Sequence, residues 1–361
     1  MKGKFLFAAL ASVVFASCVN DEQVVEVPKG NEIRLTVATQ TASSRAEHDK
    51  DYVYKDKLYI WAWAENSDAP IINGEEFDAS TGAFANGKIY YYPVDGSEVE
   101  FLAIPKNVKD LEYFDEPVRE NKAITYTFNV GHTNHSATEH EVDLMTSEVV
   151  RQSQGVVAIV LRHLTTKLNV IIQQKQKNND ATTAVVSLKK VQIQNIKNHG
   201  HVTLDEAWKA VNGSEDCYWD SISVAAENIC TWTVYETASG ADDYQLATHA
   251  STDAKNDFKT TEPHYVVPQQ LISGGQKLYL EYEVETKYIN EVQPDVIETF
   301  CKTIDLNGIA DVNWAMNKNV TYLIGINPIE DSHKITFEVY VEEWGLTNGE
   351  ATIKPGDSEN I

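Results

Sequence analysis

Apolar and polar residues alternate with a period of two through most of the chain, with almost no sustained helical period, so strands are expected rather than helices. The first alternating segment is 33–39, with Ile33, Leu35 and Val37 on one face, and it runs into the polar loop Gln40-Thr41-Ala42-Ser43-Ser44-Arg45-Ala46. Segments 58–64, 88–92, 99–104, 124–130, 141–147 and 156–161 follow, separated by Gly, Asn, Asp and Pro. A set of strands at this spacing predicts a β-sandwich. A second set covers 166–172, 185–196, 201–204, 229–235, 264–267, 277–285, 298–305, 319–326 and 334–344. In the last of these Ile335, Phe337, Val339 and Val341 face one way, while Thr336, Glu338, Tyr340 and Glu342 face the other. A one-residue slip would turn that apolar row to water, so its register is strongly specified. The prediction is an all-β chain of two tandem sandwiches, with a boundary near 162–164. The polar stretches 107–122, 131–140 and 237–261 are expected to be long loops.

The start of the chain departs from this pattern. Lys2 and Lys4 precede an apolar run, 5–16, that ends in Phe15-Ala16-Ser17-Cys18, the layout of an export signal with a small-residue cleavage site. The run is shorter than the roughly 20 residues a membrane span requires. Asn20, Asp21 and Glu22 then form a short acidic tether. The chain therefore divides into a signal (1–18), a tether and first strand (19–45), and two sandwiches (46–163 and 164–361). Cys18 fits either a lipidated terminus or an ordinary secretory signal with an incidental cysteine.

Composition narrows the function. Among 361 residues there are 54 acidic and 30 basic side chains, a formal charge of −24, which argues against nucleic acid and anionic lipid surfaces as partners. Hydrophobic residues make up 42%, enough for sizeable cores. Beyond Cys18 lie Cys217, Cys230 and Cys301; a Cys217–Cys230 bridge and three separate thiols are both compatible with the spacing. His132, His135 and His140 could gather a zinc ion or simply enrich a polar loop, since their spacing fits no helix face. His199 and His201 flank Gly200 at an expected turn. No nucleophile elbow, phosphate loop or dinucleotide fingerprint occurs, and no carboxylate pair stands out among so many. An enzyme is not expected, nor is a cofactor or metal. Trp61 and Trp63 share a strand face, as a sugar platform or as core aromatics.

Several ordered motifs carry a resemblance. They are Asp143-Leu144-Met145, the run 161–170 (Leu-Arg-His-Leu-Thr-Thr-Lys-Leu-Asn-Val), Val266-Val267-Pro268-Gln269, the run 314–322 with Asn317 and Lys318 inside it, and the closing Val339-Tyr340-Val341-Glu342-Glu343-Trp344. Together with the lipobox-like Cys18, they make the chain resemble the fimbrillin-like family, the type V pilins of Bacteroidetes. The resemblance implies two transthyretin-like β-sandwich domains and export as a lipoprotein acylated on Cys18, held in the outer membrane. It also implies cleavage between Arg45 and Ala46 by an arginine-specific surface protease, followed by incorporation into a fimbrium. The partners it implies are other pilin subunits that exchange a strand into the place of Ile33, Leu35 and Val37, and a host or bacterial surface ligand. The tail 345–361 has few alternating apolar residues, which suits a tip or accessory subunit rather than a shaft. Two other readings are a surface lipoprotein that binds glycans and an uncut membrane anchor of a fimbria.

Overall fold

The computed structural model describes residues 30–39, 56–106, 114–120, 123–131, 143–175, 182–197, 199–204, 221–222, 229–246, 257–260, 263–288, 294–309, 313–328, 335–343 and 353–354. The strands up to residue 163 are β1 (Arg34–Thr39), β2 (Lys57–Ala64), β3 (Pro70–Asp78), β4 (Ala83–Phe84), β5 (Val99–Pro105), β6 (Phe114–Glu120), β7 (Ala123–Gly131), β8 (Met145–Ser147), β9 (Val150–Gln152) and β10 (Val156–His163). After them come β11 (Thr166–Gln174), β12 (Thr182–Lys197), β13 (His199–Leu204), β14 (Ser221–Ile222), β15 (Ile229–Glu236), β16 (Tyr244–Gln245) and β17 (Phe258–Lys259). The chain closes with β18 (His264–Val266), β19 (Lys277–Tyr288), β20 (Val296–Asp305), a 3-10 turn at Leu306–Gly308, β21 (Lys318–Ile326), β22 (Ile335–Glu343) and β23 (Ile353–Lys354). The protein is all-β, built as sandwiches.

In the N-terminal half a three-stranded sheet, β1-β10-β8, faces a five-stranded sheet, β4-β3-β2-β5-β9. Alternation on β2 and β5 sends Leu58, Ile60, Ala62, Val99, Phe101 and Ala103 into the core between them. The opposite faces of these strands carry Trp61, Trp63, Leu102 and Ile104, which are also buried. That second face is met by Arg119 of β6, whose guanidinium reaches Glu100 at 2.9 Å and the carbonyl of Glu65 at 3.0 Å.

The C-terminal half pairs the sheet β17-β11-β21-β22-β23 with β15-β12-β19-β20. Leu168, Val170 and Ile172 from one and Val186, Leu188, Leu280 and Tyr282 from the other fill its core. The two halves echo each other: β1 runs parallel to β10, and β11 runs parallel to β21. In each, a strand that opens the half lies beside one that comes near its end. The predicted boundary, near 162–164, lies at the end of β10, yet a fifth sheet, β14-β13-β7-β6, draws strands from both sides of it.

Several local expectations differ. The expected loop 107–122 contains β6, because the buried ion pair of Arg119 lets a charge-rich segment pair with β7. Strand β3 was not expected, since Asn73-Gly74 reads as a turn; it is a bulge, where Gly74 adopts φ +62 and lies so close to Trp61 that a Cβ would sit 3.0 Å from the indole. Segment 88–92 forms only an isolated bridge between Tyr91 and Glu32. The stretch 237–261 holds β16 and β17, anchored by buried Leu246 and Phe258.

Candidate functional site

The site worth building is the slot that holds the first strand. Among the described residues strand β1 has one strand partner, β10, with Arg34 opposite Val156 and Thr39 opposite Leu161. Its alternation turns Ile33, Leu35 and Val37 inward, where they are 6%, 7% and 7% exposed. They join one core with Val157, Ile159 and Leu161 of β10. Arg34 and Thr36 face water, and Arg34 pairs with Glu32 at 3.2 Å on the exposed side.

The strand's entry is fixed separately. Ile33 N donates to Tyr90 O at 2.8 Å, Tyr92 N donates to Asn31 O at 3.0 Å, and the Asn31 amide donates to Tyr92 O at 2.8 Å. Tyr92 is itself buried and donates its hydroxyl to Gly155 O at 3.1 Å, at the head of β10. Burial pushes this phenol up to about 12, so it stays a neutral donor at physiological pH. The segment 90–92 and the start of β10 thus form one collar around the entrance to the slot.

Apolar surface gathers at the same place. Ten large hydrophobic side chains are exposed among the described residues, and five of them, Ile89, Tyr91, Val94, Val156 and Val160, belong to β10 or lie within three residues of the collar's Tyr91. An edge strand held by one neighbour and rimmed by apolar side chains can be replaced by another strand that presents the same i, i+2, i+4 row.

The other residues singled out by sequence are placed as follows. Ile335, Phe337, Val339 and Val341 lie on β22, paired with β21 from Lys318 opposite Glu343 to Ile326 opposite Ile335. Val339 is buried, and Ile335 and Val341 pack against the core partly buried; the side chain of Phe337 lies outside the described residues. Strand β23 sits on the far side of β22, with Ile353 opposite Tyr340. Cys18, Arg45, Ala46, His132, His135, His140 and Cys217 lie outside the described residues. Among the described residues no group of His, Cys, Asp or Glu is gathered to hold a metal. Cys301 carries a free thiol on β20 and Cys230 is half-buried on β15, the opposite edge of the same sheet. Trp61 and Trp63 are 0% and 2% exposed, which decides between their two readings in favour of core aromatics. In the sequence the collar is marked by nothing beyond the aromatic run Tyr90-Tyr91-Tyr92, which reads as an ordinary strand.

Comparisons with known proteins agree on the architecture. A fimbrillin-like family profile matches residues 44–344. A crystal structure of a fimbrial protein from Bacteroides vulgatus is similar at 15% identity and a TM-score of 0.56, covering 87% of this chain and 99% of that one. A structure of a putative cell adhesion protein from Bacteroides uniformis shares 17% identity over 88% of this chain and 100% of its own, with a TM-score of 0.46. No curated protein matches.

Proposed function

Because this chain belongs to the fimbrillin-like family, we propose that it is a non-enzymatic, adhesive subunit of a cell-surface fimbria assembled by strand exchange into the slot of β1. In this reading the precursor is exported as an outer-membrane lipoprotein through Cys18, folds with β1 in place, and is cut after Arg45 by an arginine-specific protease. The strand then leaves, and a strand from another subunit takes its place in the fimbrium.

The observation that carries the reading is the state of β1: a strand with a single neighbour among the described residues, whose three apolar side chains complete the core. Burying three such side chains contributes roughly 5–9 kcal/mol, at ~1.5–3 kcal/mol each. A whole domain is stable by only about 5–15 kcal/mol. Losing β1 without replacement therefore leaves the first sandwich near its threshold, and refilling the slot is strongly downhill. No nucleotide is needed for such a step. The family match supports the same division, since it begins at residue 44 and leaves β1 outside.

A tip or accessory position is favoured over the shaft by the C-terminal end. Strand β22 is already paired along nine residues with β21, and β23 from the tail of the same chain covers part of its other edge. Residues 353–354 of the tail are thus paired within their own subunit, which supports an acceptor that offers no strand to a neighbour.

The test is Arg45→Ala in the native surface setting. The substituted precursor should fold, keep an acylated Cys18 as its N-terminus and fail to enter fibres, while the unsubstituted protein begins at Ala46. Normal incorporation of the uncut variant into fibres would defeat the proposal.

A further inference from the structure

Strand β20 closes its sheet and, among the described residues, pairs only with β19. It is ten residues long, contains no proline, and pairs without a register shift from Lys277 opposite Asp305 to Thr286 opposite Val296. Edges of this length are normally shortened, bulged or covered. Here Val296 and Ile297 are instead left 39% and 60% exposed.

Backbone direction follows from the neighbouring turn. Leu306 N donates to Gln276 O at 3.0 Å, so by antiparallel alternation the even-numbered residues of β20 bond toward β19. The odd-numbered residues 297, 299, 301 and 303 turn their N–H and C=O groups to the open side.

The even-numbered side chains, on the core-facing side of the sheet, read Val296, Glu298, Phe300, Lys302 and Ile304. That is apolar, acidic, aromatic, basic, apolar: a pattern that is its own complement when reversed. Two copies aligned antiparallel about Phe300 set Phe300 against Phe300, Glu298 against Lys302 twice, and Val296 against Ile304 twice. The outward backbone groups then meet as hydrogen-bonded pairs, Ile297 with Thr303 and Thr299 with Cys301. Sliding the alignment by two residues in either direction removes both ion pairs.

We propose that β20 is a self-association surface whose occupant is β20 of a second copy of this chain, aligned antiparallel about Phe300. The contact is isologous and closes at two molecules, with one sheet continuing through both. It covers the exposed Val296 and Ile297, and it uses no residue of the β1 slot, so it stands independently of the strand-exchange reading.

Sedimentation velocity on the purified full chain over a micromolar concentration series tests this. The unsubstituted protein should show a monomer–dimer equilibrium. Lys302→Glu turns two attractive cross-strand pairs into two repulsive ones and should weaken the dimer roughly tenfold or more. Glu298→Lys should do the same, and the combined exchange should restore the dimer; circular dichroism checks that each variant folds. The register is read by cross-linking. Phe300 opposes Phe300 of the other copy in a non-hydrogen-bonded pair, with Cα atoms ~4.5 Å apart, within disulfide range. Phe300→Cys should therefore give, under mild oxidation, a covalent dimer joined 300 to 300 by mass spectrometry, whereas the offset Cys301 thiols of the unsubstituted protein should not link to each other. A chain that stays monomeric at every concentration, a dimer indifferent to both charge reversals, or no 300–300 link overturns the proposal.

Discussion

At the scale of single residues, the buried charges are the strongest determinants. Glu100 and Arg119 have side chains 3% and 1% exposed and lie 2.9 Å apart, and Arg119 also donates to the carbonyls of Ala64, Glu65 and Ser67. Removing one member of such a pair leaves the other charged, buried and uncompensated. Arg119→Ala should therefore cost about 3–5 kcal/mol in urea unfolding. Arg151→Ala should cost under ~1 kcal/mol, because Arg151 reaches the same carboxylate at 2.7 Å from a side chain 43% exposed. Tyr282 makes a second case. It stacks on Phe300 with centroids 5.5 Å apart, and its hydroxyl is buried with no hydrogen-bond partner among the described residues. Burial pushes this phenol from its ordinary 10.0 up to about 12. The folded state then holds a proton that the unfolded state releases, so its contribution is full below pH about 10 and is lost as pH climbs toward 12. Tyr282→Phe should leave stability at neutral pH unchanged or slightly raised and should flatten the alkaline fall, as read by thermal melts across that window. The motif residues have equally local roles. His163 Nδ1 lies 2.8 Å from Asp143, Asn317 adopts φ 59 at the turn into β21, and Gln269 donates to the carbonyls of Lys197 and Val267.

At the scale of elements, strands with clean alternation were legible and those built on exceptions were not. Strands β1, β11 and β22 alternate without interruption, and each lies where the period of two placed it. Strand β6 was hidden because Pro117 and four charged residues read as loop; only the distant Glu100 makes Arg119 tolerable there. Strand β3 was hidden because a bulge and a turn share the Asn-Gly signature, and Trp61, which presses on Gly74, comes from another strand. Segment 88–92 alternates well but finds no long partner; its bonds go to Asn31 and Ile33. Of the candidate site, the inward row of β1 could be read from the sequence. The collar and the parallel pairing with β10 could not, because they depend on residues more than fifty positions away.

At the scale of the molecule, charge governs how copies meet. Each chain carries a formal −24, and whether two such surfaces repel across the gap depends on ionic strength. The Debye length falls from ~30 Å at ~0.01 M salt to ~8 Å at ~0.15 M. Association of two copies through β20, followed by light scattering after mixing, should therefore speed up several-fold between those conditions. A slowing with added salt would mean that local attraction outweighs the overall repulsion.

The parallel course of β1 along β10 has a mechanical meaning. Any strand seated there is joined side by side with its neighbour over six paired residues, so tension along its axis shears the whole ladder at once instead of peeling it bond by bond. Slippage cannot proceed in single steps either, because a shift of one residue would swing all three apolar side chains into water. The first permissible shift is two residues, so a joint of this kind holds under traction and then fails abruptly.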